Sequence, residues 1–286
     1  MGAEQAIGIF DSGIGGLTVV KQLIRFLPQE DLIYFGDTAR LPYGTKSEKL
    51  IRQYAMEDAA FLLQYGIKML VVGCNSASAT ALDLLQDKLS IPVTGVIEPG
   101  VTAAVNISQK KRIGVIGTTA TISSKAYDKK IFASDKKIEV FGQPCPILVP
   151  LVEEGWLDEN ITRLTIQKYL EPLLEEDIDV IILGCTHFPV IKNLIQDVVG
   201  NTVTLIDSGE ETAKRVRETL LNLDILNEKP NKGNLKVYVS DIPGKFSEIG
   251  TRFLGKPVVN AERVDFEKYL IEQGVEIFPN KMSVSG

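Results

Sequence analysis

Two short stretches pair glycine with cysteine and follow it with hydrogen-bonding side chains: Gly73-Cys74-Asn75-Ser76 and Gly184-Cys185-Thr186-His187. In each, an apolar run ends near the glycine and a helical pattern starts after the cysteine. Each thiol is therefore predicted at a strand end and a helix start, where the helix dipole favours thiolate. One cysteine in such a place is more often a small buried hydrophobe. Two in equivalent places, each followed by polar residues, point to paired thiol chemistry. The third cysteine, Cys145 between Pro144 and Pro146, lacks that context and reads as structural. His187, the only histidine of the chain, stands two residues after Cys185.

Two similar thiols suit the inversion of a stereocentre by proton transfer. One face of the carbon needs a base and the other an acid, and the return reaction exchanges the roles. One sulfur must be thiolate and the other thiol when substrate binds, and neighbouring acid–base groups can set those states. Asp11 for Cys74 and His187 for Cys185 are the candidates. Asp11-Ser12-Gly13-Ile14-Gly15-Gly16 follows an apolar run and opens a helical pattern. Such a turn can cradle an anion at a helix N-terminus. It is neither G-x-G-x-x-G nor a P-loop, and Asp11 would repel phosphate. The reading is an amino-acid carboxylate held by backbone N–H groups and Ser12; the plain alternative is a glycine-rich tight turn.

The elements that must position these groups alternate along the chain. Ala6–Phe10, Leu32–Phe35, Met69–Val72, Val93–Ile97, Ile113–Ile116, Val180–Leu183 and Val203–Ile206 read as buried strands. Helical patterns cover Leu17–Leu27, Ser47–Tyr65, Ser76–Lys88, Asp158–Glu175 and Val190–Val199. Such alternation predicts parallel strands joined by helical crossovers, an α/β fold. An internal repeat is visible: Ile7-Gly-Ile-Phe echoes Ile113-Gly-Val-Ile, Val71-Val-Gly-Cys echoes Ile182-Leu-Gly-Cys, and Gln86-Asp87 before Val93-Thr94 echoes Gln196-Asp197 before Val203-Thr204. Chance likeness between two Rossmann-like halves is the alternative. Duplication predicts two similar Rossmann-like, flavodoxin-like α/β domains, pseudo-twofold related, facing across a cleft with one Gly-Cys on each side. Strand C-terminal ends are where open α/β sheets place ligands.

The chain has 286 residues, 44% hydrophobic and 24% charged, with a formal net charge of −6. Those values fit a globular protein and argue against a nucleic-acid or anionic-membrane surface. The basic run Lys110–Arg112 reads as solvated loop. No stretch approaches a membrane span, the N-terminus lacks signal-peptide character, and Ala6 breaks a myristoylation motif. A cytoplasmic, reducing location is expected for three cysteines too sparse for a disulfide framework. One His and no C-x-x-C predict no metal site, and no lysine stands out as a Schiff base. No cofactor is expected.

Asp11–Gly16, Pro42-Tyr43-Gly44, Gly73–Ala77 and Gly184-Cys185-Thr186-His187-Phe188-Pro189 together resemble the motifs of the glutamate racemases, within the aspartate/glutamate racemase family. The likeness covers nearly the whole chain. It implies that Cys74 and Cys185 are proton donor and acceptor, Cys74 acting on D-glutamate and Cys185 on L-glutamate. It also implies substrate contacts at Asp11, Ser12, Pro42, Tyr43, Gly44, Asn75, Ser76, Thr186 and His187. Thr118, Thr119 and Thr121 match a hydroxyl-rich loop, and Asp37 and Glu153 match auxiliary acidic positions. Position 76 is Ser where the family usually has Thr. The resemblance further implies a first domain of residues 1–97 plus 208–286, a second of 98–207, a homodimer, and a D-glutamate product for peptidoglycan synthesis. The rival readings are an aspartate racemase, another two-cysteine racemase, or a non-catalytic two-lobed amino-acid-binding protein.

Overall fold

A computed structural model of the chain describes residues 2–272. It contains ten strands: β1 (Ile7–Asp11), β2 (Leu32–Gly36), β3 (Met69–Val72), β4 (Val93–Gly95), β5 (Arg112–Gly117), β6 (Glu139–Pro144), β7 (Val180–Gly184), β8 (Thr204–Asp207), β9 (Leu235–Val239) and β10 (Ala261–Arg263). They form a six-stranded sheet ordered β10-β9-β2-β1-β3-β4 and a four-stranded sheet ordered β6-β5-β7-β8. Every pairing is parallel. Every residue of β1, β2, β3 and β7 is buried. Strands covered on both faces need continuous apolar runs, so their sequences announce them.

The two sheets share one plan. β2-β1-β3-β4 and β6-β5-β7-β8 have the same order, with the strand of the Ile-Gly repeat at the centre and the strand preceding Gly-Cys beside it. A side-chain bond repeats as well. Gln86 Nε2 donates to the Val93 carbonyl, and Gln196 Nε2 to the Val203 carbonyl, each at 3.0 Å and each seven residues on. Each bond ties the end of a helix to the start of the following strand.

Several elements differ from the sequence reading. β4 stops at Gly95, and Ile97 begins a helix, Ile97–Ile107, instead of ending a strand. The helix expected over Ser76–Lys88 is two, Asn75–Thr80 and Leu82–Lys88, broken at Ala81. Serine and threonine there bond back to the main chain, Ser78 Oγ to the Val72 carbonyl (2.9 Å) and Thr80 Oγ1 to that of Ser76 (2.8 Å), a pattern that bends or interrupts helices. Arg112 opens β5 rather than lying in a loop, and its guanidinium bonds Glu139 and the Glu176 carboxylate (2.8 Å). After β8 a helix, Ser208–Asn222, leads back to the first sheet, which β9 and β10 then extend. The outermost ends of the first expected domain, residue 1 and residues 273–286, lie outside the described residues.

Candidate active site

β1 ends at Asp11, which is buried at the head of the glycine loop. Its Oδ2 accepts the N–H groups of Gly13 (3.2 Å) and Gly16 (3.0 Å). Two of the amides expected to hold a substrate carboxylate are thus taken by the loop's own aspartate. The other oxygen, Oδ1, is buried with no partner among the described residues. Burial pushes the carboxyl above the usual range, against the pull of the Gly16 amide, the charge of His187 and the Gly13 and Ser12 amides.

Cys74 caps the Asn75–Thr80 helix from the end of β3. Its Sγ lies 3.7 Å from Ser12 Oγ. Burial, then the charge of Asp11, pushes this thiol up to about 12, against the Ala77 amide and the hydroxyl and amide of Ser12. The thiolate-favouring helix start read from the sequence is overruled: the helix has only six residues, and desolvation next to a carboxyl outweighs it. In this closed arrangement Cys74 holds its proton at neutral pH.

Cys185 has a different neighbour. Its Sγ lies 3.9 Å from His187 Nδ1, and His187 Nε2 lies 2.9 Å from Glu153 Oε1. Burial opposes the imidazolium, but hydrogen bonding and charge from Cys185 and Glu153 prevail and push His187 up to about 10. The ring also packs on Phe253 in a T-shaped pair, with centroids 5.1 Å apart and planes at 84°. One sulfur therefore faces a hydroxyl and a carboxyl, the other an imidazolium.

Contacts between the two sheet systems bring these groups together. A Cβ on Gly15 would collide with Thr186 Oγ1 and stand 2.7 Å from His187 Nδ1, so the β1 loop presses directly on the turn after Cys185. Thr18 Oγ1 lies 2.9 Å from the carbonyl oxygens of both Gly15 and Thr186. Tyr127 donates its hydroxyl to Asn75 Oδ1 at 2.7 Å and lies 3.3 Å from Ser208 Oγ, which itself bonds the Leu183 carbonyl at 3.1 Å. The residues after each cysteine are thus fixed by the opposite sheet system. Ser76, Thr118 and Thr121 close a triangle of hydroxyls with edges of 3.0, 3.1 and 3.4 Å. Gly44 packs on Thr118, where an added Cβ would lie 2.8 Å from the threonine Cβ. Both cysteines, Asp11, Asn75, Ser76, Thr121, Thr186 and His187 are all buried. Such an arrangement can move protons at two sulfurs of unlike setting.

The profile of the Asp/Glu/hydantoin racemase family matches residues 7–216. The chain belongs to the Asp/Glu/hydantoin racemase family. It is 50% identical to the glutamate racemase of Geobacter metallireducens over 263 residues, 92% of this chain and 97% of that one. Among solved structures, a glutamate racemase isoform from Bacillus anthracis superposes with a TM-score of 0.89 at 40% identity, covering 92% of this chain and 98% of that chain. The Francisella tularensis glutamate racemase in complex with D-glutamate gives 0.87 at 41% identity, covering 93% and 100%.

In this racemase not every residue singled out from the sequence points at the thiols. Tyr43 turns its ring into a buried charge cluster, donating to Asp37 Oδ2 (2.5 Å) and lying 2.8 Å from Asp58 Oδ2. Arg40 binds Asp37 (2.6 Å), Asp58 (2.9 Å) and Glu57. Asp37 therefore supports the Pro42–Gly44 loop from behind, and beside it burial and the charge of Asp37 push the Asp58 carboxyl well above the usual range, against the pull of Arg40. Pro42 and Thr119 are exposed, and Thr118 also caps the Thr119–Ser123 helix through the Thr121 N–H. Glu153 joins the site as the partner of His187. Tyr127, Ser208, Thr18 and Phe253 were not visible as site residues in the sequence, where each stands alone without a motif. Among the described residues no cluster of His, Cys, Asp and Glu could hold a metal ion, and no helix is long and apolar enough to cross a membrane.

Proposed function

We propose that this racemase interconverts L- and D-glutamate without a cofactor, Cys74 and Cys185 giving and taking the α-proton from opposite faces. The observation that carries this reading is the unlike electrostatic setting of two buried cysteines whose flanking residues interlock across the sheets. Cys74 rests as a thiol, and Cys185 faces an imidazolium. That state suits a substrate whose α-proton points at Cys185. The C–H bond breaks as Cys185 takes the proton, and a new C–H bond forms with the proton of Cys74. The reverse direction starts from the opposite protonation, reached by moving one proton on each side. His187 is placed to shuttle it at Cys185 and Asp11 to influence it at Cys74. The substrate ammonium, drawn to Oδ1 of Asp11, would ease ionisation of the nearby thiol.

Glutamate is favoured over aspartate by the named activity of relatives at 40–50% identity and by the Ser76–Thr118–Thr121 hydroxyls, which suit a side-chain carboxylate. The same proposal takes the sheets as cores of two domains, 1–97 plus 208–286 and 98–207, that part to admit substrate to a buried site. It places the enzyme in the cytoplasm as a homodimer that supplies D-glutamate for peptidoglycan. The test is racemisation of each glutamate enantiomer, followed by circular dichroism, with purified protein in EDTA and no added pyridoxal phosphate. Activity under those conditions is expected. Its complete loss on chelation, or faster turnover of aspartate, would overturn the reading.

A further inference from the structure

The helix Pro243–Leu254 lies between β9 and β10, beyond the segment that the family profile matches. Phe246 and Phe253 are buried, and seven residues, about two helical turns, put them on one face. Phe246 meets Tyr34 with ring centroids 6.2 Å apart, and the Tyr34 hydroxyl donates to the Gly13 carbonyl at 2.8 Å, inside the loop that Asp11 caps. Phe253 sets its ring against His187. Next to it, Arg252 Nη1 donates to the Glu153 carbonyl at 3.0 Å. The guanidinium lies against Gly155, whose φ of +82° turns the chain directly after the Leu148–Glu153 helix; a Cβ there would be 2.6 Å from Arg252 Cζ. One helix of the first sheet system thus touches a support of the Asp11 loop, and at its C-terminal end it contacts both His187 and Glu153.

We propose that Arg252 and Phe253 are positioning residues for Cys185, clamping Glu153 and His187 so that the imidazole keeps its place at the sulfur. The physical basis is that a proton shuttle works only at a held geometry, and His187 has few fixed points: Glu153 at Nε2, Cys185 at Nδ1 and the Phe253 ring. The clamp comes from the other sheet system, so it is complete only when the two lie together. Closure over the substrate and assembly of the Cys185 acid–base pair then become one event. This inference rests on the two-thiol reading above.

The experiment uses amino-acid analogues with a leaving group on the β-carbon, which eliminate after one sulfur alone removes the α-proton. Racemisation cannot serve by itself, because kcat/KM in the two directions is tied by the equilibrium constant. Wild type, Cys185→Ala and Cys74→Ala first establish which enantiomer depends on which sulfur. Arg252→Ala is the main variant, since its side chain is exposed and its loss removes little packing; Phe253→Leu keeps an apolar side chain, and Arg252→Lys keeps a donor. Outer partners that orient a metal-bound imidazole typically matter by about 10–100-fold, and the same holding of ring orientation is at stake here. Elimination of the Cys185-dependent enantiomer should fall by about tenfold or more in Arg252→Ala and Phe253→Leu, with partial recovery in Arg252→Lys. Elimination of the Cys74-dependent enantiomer should change by less than about threefold. Equal losses for both enantiomers would reduce the clamp to a general structural role, and no loss for either would refute it. If Cys185→Ala itself spared elimination from both enantiomers, the two-thiol reading would fall instead.

Discussion

Gly15 lies so close to His187 that a Cβ on the glycine would stand 2.7 Å from Nδ1 of the ring. The glycine has no positive φ among those of the chain, so its role is close approach and not an unusual backbone conformation. Gly15→Ala should push the loop of Asp11 away from the turn of Cys185. Displacing groups from a reacting geometry by about 1 Å can cost about 10²-fold in rate, and overpacking a tight contact about 1–3 kcal/mol. Both a rate loss of that order and a lower melting temperature are expected. Wild-type kinetics in this variant would show that the contact has no part in catalysis.

Cys74→Ala and Cys185→Ala should each abolish racemisation, because one turnover needs a base and an acid. Serine at either position should leave only a trace, since a hydroxyl gives little anion at neutral pH. With β-leaving-group analogues, Cys74→Ser should keep elimination from the L-enantiomer and lose it from the D-enantiomer, and Cys185→Ser the reverse. Rates measured by product release would contradict opposed bases if both variants lost both enantiomers alike.

The His187 imidazolium links stability to pH. Its proton affinity is raised from 6.5 to about 10 in the folded chain, with burial opposing and Cys185 and Glu153 prevailing. Between those values the native state binds a proton that the unfolded chain has released, so stability falls as pH rises. The contribution is complete below about pH 6.5 and lost as pH climbs through about 10. Denaturant unfolding of wild type and His187→Asn should therefore show a difference that shrinks steadily over that window. A difference that stays flat across that window would mean that the ring is neutral in the native protein.

The hydroxyl triangle should govern side-chain recognition. Thr118→Val and Thr121→Val should raise KM for glutamate more than they lower kcat, and should narrow its advantage over aspartate. A site built on buried donors rejects a substrate that leaves them unpaired by up to roughly 10⁴-fold. Thr118→Val also removes a helix cap, which costs about 1 kcal/mol of stability; Thr121→Val serves as the variant free of that effect. Unchanged discrimination in both would place the side-chain carboxylate elsewhere.

The strands flanking each cysteine could be read directly from the chain, because strands buried on both faces leave no room for polar alternation. The duplication was readable for the same reason: Ile-Gly, Gly-Cys and Gln-Asp recur in order, and the matching Gln86 and Gln196 bonds stand where the repeat puts them. β6, β9 and β10 are not legible in the same way. β6 and β10 are edge strands, only partly buried, and carry no apolar run. The proposal of Cys74, Cys185, Asp11 and His187 as the reactive set came from residue type and position alone. Their partners did not. Tyr127 reaches Asn75 across 52 residues of chain, and Phe253 and Arg252 meet His187 and Glu153 from a helix with no motif of its own. The protonation of Cys74 also belonged to the tertiary structure. A helix start is a local feature and argues for thiolate, but burial next to Asp11 depends on what packs around the sulfur, and desolvation in that setting outweighs a short helix.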